Sequence, residues 1–238
     1  MNKEEFIKKL QEENIEVNDI ILEKLEEYSN YLIEYNEHTN LTSIKEKKDI
    51  YLKHFYDSII ISKYYEFKDQ KVLDIGTGAG FPGMILKIFF PNLKVTLLDS
   101  NNKKIRFLTE LCNRLGIEDI ELICERAEEY CKKNRETFDI VTSRAVSNLT
   151  TLSEISIPFV KKDGYFIPLK GGNKDEIMEA KHAISILGGE IEKEFNYTLP
   201  IENSNRTVLF IKKKKNTPSI YPRQYSKIVK NPLKNKEK

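Results

Sequence analysis

The feature that most constrains this chain is a short strand that runs directly into glycines. Residues 71–75 (Lys-Val-Leu-Asp-Ile) lead into Gly76-Thr-Gly-Ala-Gly80, then into an apolar run over 81–90 with Pro82 near its start. Glycines permit positive φ and a close backbone approach. Proline suits a first helical turn, where its missing N–H is no loss. Strand, tight turn and helix in that order are the opening unit of an α/β fold.

The same alternation continues downstream. Strands are predicted over 95–98, 120–123, 138–142 and 165–169. Helices are predicted from Asn101 or Asn102 to Leu115, where Gly116 is a stop signal, and over 127–133, 149–160 and 177–187. Two last strands, 191–198 and 207–212, are close enough in sequence to pair antiparallel. Such a chain winds into a mostly parallel sheet, with its ligand at the carboxyl ends of the strands. Residues 3–66 read as helices only. Ile20, Ile21, Leu25, Tyr28, Leu32 and Tyr35 recur at helical spacing after a candidate N-cap, Asn18. A second pattern runs through Tyr51, Leu52, Phe55, Ser58, Ile59 and Ser62, and the polar stretch 36–43 between them has turn chemistry.

Charge is unevenly spread. Residues 212–238 hold nine lysines and Arg223 against Glu237, so they carry +9 of a net +2, and the first 211 residues sum to −7. A basic tail on an acidic body suggests a polyanionic partner, or else a solvated tail that aids solubility. The expected division is 1–66 helical, 67–213 α/β and 214–238 tail. With 39% hydrophobic and 32% charged residues the composition is that of a soluble domain. The first ten residues have no apolar stretch of a secretory signal, and runs such as 84–90 are too short to span a bilayer. Cys112, Cys124 and Cys131 form no CxxC pair, which fits a reducing cytoplasm. His38, His54 and His182 lie at no ligand spacing with them, so no metal is expected.

The loop itself admits three readings. Gly78-x-Gly80-x-x-Gly83 matches a dinucleotide fingerprint, with Asp99 available for a ribose hydroxyl. Yet Asp74, at the mouth of the loop, would repel a pyrophosphate. It suits S-adenosylmethionine, which carries an ammonium and a sulfonium and no phosphate. A tight turn with no ligand is the third reading. Asp99, after the second strand, is placed to chelate a ribose or to cap the next helix. Arg126-Ala127-Glu128, after the third strand, either covers an adenine or merely starts a helix. Ser143-Arg144-Ala145 follows the fourth strand, where methylases of exocyclic amines often carry Asn/Asp-Pro-Pro-aromatic. Its absence, and the lack of a motif around Cys124 and Cys131 (expected to be buried, inert thiols), leave a ring nitrogen such as guanine N7 as a fitting acceptor. Arg144 is then placed to hold guanine O6, a phosphate or the donor carboxylate, the alternative being a structural salt bridge.

Together these residues resemble the RsmG family, also called GidB. The resemblance runs through Asn40-Leu-Thr-Ser-Ile44, His54-x-x-Asp57-Ser58, Asp74-Ile-Gly-Thr-Gly-Ala-Gly-Phe-Pro-Gly83 and Leu97-Leu-Asp-Ser100. It continues in Ser143-Arg-Ala145, Leu169-Lys-Gly171, Tyr221-Pro-Arg223 and Pro232-Leu233. Gln224-Tyr-Ser-Lys227 departs from the Lys and Gly-x-Pro often seen in relatives there. The resemblance implies a Rossmann-like class I methyltransferase, with a mostly parallel seven-stranded sheet and an N-terminal helical cap beside the site. It implies transfer from S-adenosyl-L-methionine to guanine N7 in 16S ribosomal RNA, in free RNA or the small ribosomal subunit, by a cytoplasmic monomer. Asp74, Gly76, Gly78, Gly80, Phe81, Asp99, Ala127, Glu128 and Arg144 would contact the donor, Arg144 also being the catalytic candidate. Arg223, Lys227 and Lys230 would grip RNA; Thr42, Ser43 and His54 of the cap either face it or are turn residues and satisfied, partly buried polar groups, the latter being the expectation for His54. A small-molecule methyltransferase and a non-catalytic ribosome-binding protein are the competing readings.

Overall fold

A computed structural model describes residues 1–144 and 146–234. Ala145 of the Ser143-Arg-Ala145 motif and the last tail residues, including Lys236 and Lys238, lie outside the described residues. Seven strands form one sheet: β1 (Lys71–Ile75), β2 (Lys94–Asp99), β3 (Ile120–Cys124), β4 (Phe138–Arg144), β5 (Val160–Gly171), β6 (Gly189–Leu199) and β7 (Ser204–Lys213). Their order is β3-β2-β1-β4-β5-β7-β6; β1 to β5 pair in parallel, and β7 pairs antiparallel with both β5 and β6. The chain steps outward from β1 to β3, then returns to place β4 against the other side of β1. That reversal opens a crevice beyond the carboxyl ends of β1 and β4.

The helices are α1 (Lys3–Glu12), α2 (Asp19–Thr39), α3 (Lys47–Asp49), α4 (Asp57–Ile59), α5 (Gly83–Phe89), α6 (Asn102–Leu115), α7 (Ala127–Asn134), α8 (Leu149–Ser156), α9 (Lys174–Ile186) and α10 (Tyr225–Lys230). A π-helical stretch, Ile50–Tyr56, joins α3 to α4. Alternate strand residues serve opposite faces, as a period of two requires. Val72, Ile140 and Ile167 face the helices before β1 together with α5 and α6, whereas Leu73, Val141 and Phe166 face α7, α8 and α9. The N-terminal helices are therefore part of the core of one face. Tyr31 stacks on Phe107 of α6 with centroids 5.1 Å apart, and fully buried Phe55 packs against Tyr28 and Tyr51.

Several boundaries differ from the sequence reading, each for a local reason. Helix α2 continues through Asn36 to Thr39 and ends at Asn40 in the left-handed conformation. Asn36 belongs to no loop: its amide donates to Thr42 O and accepts from Thr42 N–H, at 2.9 and 3.0 Å. Ile20 lies on the exposed side of α2. Helix α8 stops at Ser156, not at Val160, because Pro158 supplies no N–H for the helix, and β5 starts at Val160. Asn173, whose side chain caps α9, moves that start ahead of Ile177. Asn101, not Asn102, caps α6.

The largest correction concerns the tail. Beyond β7 the chain folds back over α7 and α8 and remains packed. Arg135 donates to the carbonyls of Thr217, Pro218 and Tyr221. Ile228 is fully buried. Lys213, counted among the tail's cations, is itself buried, and its ammonium donates to Ile157 O, Val160 O and Thr217 Oγ1 and pairs with Glu136 at 3.1 Å. Burial pulls its pKa down, against the pull of Glu136.

Because cap and sheet share one core, they should unfold together. Phe55→Ala should remove about 3–5 kcal/mol of stability. Urea unfolding followed by circular dichroism and by tyrosine emission should show one coincident, down-shifted transition; separate transitions would make the cap an independent unit.

Candidate active site

The loop after β1 is built from underneath. Asp74 is fully buried, and its Oδ2 accepts from the Thr77 hydroxyl at 2.7 Å and from the Gly83 N–H at 2.8 Å. Gly76, Gly78 and Gly80 have φ of +67, +62 and +103°, values that favour glycine. The side chain of Asp74 is thus not at the mouth of the loop: it caps the start of α5 from inside. Burial raises its carboxyl pKa to about 6, against the lowering effect of the Thr77 and Gly83 hydrogen bonds.

Above the loop lies a cavity of about 270 Å³, bordered by Gly76, Asp99, Ala127 and Glu128. Four sequence-predicted donor contacts from three separate strand ends meet there. Asp99 Oδ2 accepts from the Gly78 N–H at 3.0 Å and from Lys104 at 3.2 Å, and Oδ1 accepts from Asn101 N–H at 2.9 Å. A carboxylate offers about four lone-pair sites, so room remains for a ribose hydroxyl. A Cβ on Gly78 would meet nothing nearer than Gly76 O at 4.0 Å, so the loop leaves open space where a ligand can approach the backbone. The carboxylate and the bare backbone fit S-adenosylmethionine.

Asp74, Gly78, Gly80 and Phe81 do not border this cavity; Gly78 reaches it only through its N–H on Asp99, and the other three face elsewhere. Gly80 faces the cap: a Cβ there would stand 2.6 Å from the hydroxyl oxygen of Tyr28. That hydroxyl donates to Ala79 O. The Phe81 ring stacks on Tyr28 at 5.4 Å and on His54 at 4.2 Å. These three residues shape the loop and dock the cap on it.

Arg144, at the end of β4, is also held by the cap. Its Nη1 donates to Lys53 O at 2.7 Å and pairs with Asp57 at 3.3 Å; its Nη2 donates to His54 Nδ1 at 2.9 Å. Both carbonyl and imidazole acceptors lie in the π-helical stretch, a geometry frequent at functional sites. The structural salt bridge considered for Arg144 is formed, and its fork is committed to the cap. Since arginine only donates, His54 Nδ1 accepts and Nε2 carries the proton toward Thr42 Oγ1, 3.2 Å away. Burial, with Arg144 nearby, lowers the His54 pKa to about 2, so the ring is neutral. Ser43 is exposed beside this turn.

The tail residues divide. Arg223 makes a two-pronged contact with buried Glu154, at 2.7 and 2.6 Å, and donates to Asn231 O. It is a clamp holding the tail down, not a group presented to a phosphate. Lys227 and Lys230 are exposed on α10. Tyr225, which sequence reasoning missed, borders the donor cavity, and its N–H donates to Glu128 at 3.3 Å. Lys104 and Val146 were missed too, and a Cβ on Gly76 would stand 2.5 Å from Val146 Cγ2. Only spacing relative to the Asp99 strand end could have flagged Lys104. Cys131 is buried, with its thiol pushed up to about 12, whereas Cys124 is exposed rather than buried and does not border this cavity or a second one that Arg144 and His54 border.

The family described as rRNA small subunit methyltransferase G, GidB, matches residues 21–204. The chain belongs to the GidB family. Ribosomal RNA small subunit methyltransferase G of Bacillus velezensis is 47% identical over 237 residues, covering 98% of this chain and 99% of that one. The Lactococcus lactis protein of the same name is 46% identical over 239 residues, covering 98% and 100%. Among solved structures, a SAM-dependent methyltransferase from Aquifex aeolicus aligns with a TM-score of 0.52 at 17% identity, over 73% of this chain and 97% of that one. YcgJ from Bacillus subtilis aligns at 0.52 with 15% identity, over 68% and 100%. At such identities the likeness concerns the fold: this GidB member has the Rossmann-like methyltransferase architecture.

Two predictions follow from the loop. Gly78→Asp should stay folded, losing about 1–2 kcal/mol to the left-handed backbone, while calorimetry should detect no S-adenosylmethionine binding. Asp74 should also leave a pH signature. Its folded pKa of about 6 lies above the ordinary 3.8, so its contribution to stability is full below about pH 4 and disappears as pH rises through 6. Urea-unfolding free energies of the wild type should therefore fall relative to Asp74→Asn across that window, and parallel curves would contradict the assignment.

Proposed function

We propose that the chain is an S-adenosylmethionine-dependent rRNA (guanine-N7)-methyltransferase acting on 16S ribosomal RNA of the small ribosomal subunit, in the cytoplasm. The observation that carries this reading is GidB membership along nearly the whole chain, with a cavity built at the expected strand ends. When bound, S-adenosylmethionine supplies a methyl group made electrophilic by its sulfonium.

The chain's own residues bind and orient. Asp99 accepts from the ribose, Ala127 and Glu128 border the adenine side, and the backbone of Gly76 and Gly78 allows close approach. Arg144 is a positioning residue, fixing the end of β4 against the cap. Guanine N7 carries an in-plane lone pair and no proton, so it needs no general base. The local chemistry agrees with that demand: both nitrogens of neutral His54 are engaged, and neither cavity is bordered by a cysteine. What remains for the protein to supply is orientation, which for a well-aligned pair is worth about 7–11 kcal/mol of barrier.

The test uses labelled S-adenosylmethionine with 16S RNA and with small subunits from cells lacking the modification. One labelled guanosine, cleaved by reduction and aniline, is expected. Label in RNA without such cleavage would remove N7 as the acceptor. Donor binding with no label in RNA or subunit would favour a small-molecule methyltransferase or a non-catalytic binder.

A further inference from the structure

A second cavity lies at the end of β4, bordered by Arg144, which does not border the donor cavity. It is an open cavity of about 330 Å³ bordered by the cap, the ends of β4 and β5, the turn joining β6 to β7 and the start of β7. Arg144 borders it, and Val146, two residues on, borders the donor cavity. The two cavities therefore flank one strand end.

Its lining differs in charge from the body around it. Lys53, Arg144, Lys170 and Arg206 stand against Asp57 and Glu202, a surplus of two positive charges, in a segment of 211 residues that sums to −7. Two of these cations are tightly held. Arg144 is locked to the cap, and Lys170 donates to Ser147 O and pairs with Glu176, both at 2.7 Å. The other two are loosely paired and more exposed. Arg206 Nε is 3.4 Å from Asp57, and Lys53 is 3.4 Å from both Asp49 and Glu202. The Lys53 pairs are surface contacts of little net strength, so an incoming anion competes for Lys53 at little cost, while Arg206 keeps its Nε contact with buried Asp57.

The geometry is preset. Asp57 is buried and takes the Tyr197 hydroxyl at 2.7 Å, besides pairing with Arg144 and Arg206. It thereby fixes the inner edge of the cavity. Arg206 pairs in register with Gly171 at the end of β5, where a Cβ would meet nothing within 4 Å. Ile44 and Leu169 add apolar wall.

We infer that this cavity receives a single nucleotide of the RNA substrate, with Arg206 and Lys53 holding its phosphate, Ile44 and Leu169 bordering its base, and Asp57 positioning both arginines. The inference rests on the RNA-methyltransferase reading above, and it assigns the acceptor side to residues outside the donor site. Cations that neutralise phosphates set the salt dependence of binding, whereas residues that only support the fold do not.

The test measures binding of small-subunit RNA by full-length protein as a function of salt, together with methyl transfer. Arg206→Ala and Lys53→Ala should each flatten the plot of log affinity against log salt by about one unit. KM for RNA should rise while S-adenosylmethionine affinity stays at the wild-type value. Arg206→Lys should restore the slope, and Lys162→Ala, at the opposite end of β5, should leave it unchanged. Wild-type slopes and KM in both alanine variants would overturn the inference while leaving the methyltransferase reading intact. A parallel loss of donor affinity would also overturn it, because the residues would then serve the donor site or the fold. A wild-type protein that transfers no methyl group to RNA would overturn the functional reading and this inference with it.

Discussion

A carboxylate buried beneath the glycine loop holds the donor half of this molecule together. Asp74 receives the Thr77 hydroxyl and the Gly83 N–H, and so joins the end of β1 to the start of α5. Its neighbours are constrained in turn. A Cβ on Gly83 would lie 2.8 Å from Asp74 Cβ and 2.5 Å from Leu97 Cδ2, so this glycine is required by packing and not by φ. That accounts for the third glycine of the apparent dinucleotide pattern. The helix start that would cradle a pyrophosphate is already supplied with an anion from within, which removes the reason for a phosphate to bind there.

At the end of β4, a different charge arrangement joins parts of the chain that are distant in sequence. Arg144 leaves the sheet and is received by two cap carbonyls, His54 and Asp57. Asp57 also receives Tyr197 and Arg206 from the β6–β7 hairpin. Cap, sheet and hairpin are therefore positioned by one buried carboxylate and one guanidinium. His54 takes part as a neutral acceptor, which avoids placing a second positive charge beside Arg144.

The parts of this arrangement that were legible in the sequence are those written locally. Gly76, Asp99 and the Ala127-Glu128 pair sit at strand ends that short patterns predict and border one cavity, and Gly78 is tied to it through its N–H on Asp99. Asn18 and Gly116 terminate helices as capping chemistry requires. Asp74, Gly80 and Phe81 were recognised as belonging to the loop, but Asp74 turns inward to Thr77 and Gly83, while Gly80 and the Phe81 ring face Tyr28 and His54, contributed by the cap. Arg144 and Arg223 looked like anion-binding groups because their partners, Asp57 and Glu154, are 87 and 69 residues away. The tail looked either solvated or free to grip a polyanion because lysines dominate its composition. Its attachment rests on a few residues, Thr217, Tyr221, Tyr225 and Ile228, that carry no periodic signal.

Tyr225 has a consequence for the order in which the enzyme is completed. It borders the donor cavity, yet it is translated after every strand of the sheet, and β7, which must slot between β5 and β6, is itself the last strand made. Domains gain structure as they emerge from the ribosome, amino-terminal parts first. A nascent chain can thus assemble its cap, glycine loop and first strands well before its donor cavity has a full wall. Competence for S-adenosylmethionine is in this way tied to finished synthesis, and a chain truncated after β7 would retain most of its core but only part of the cavity's lining.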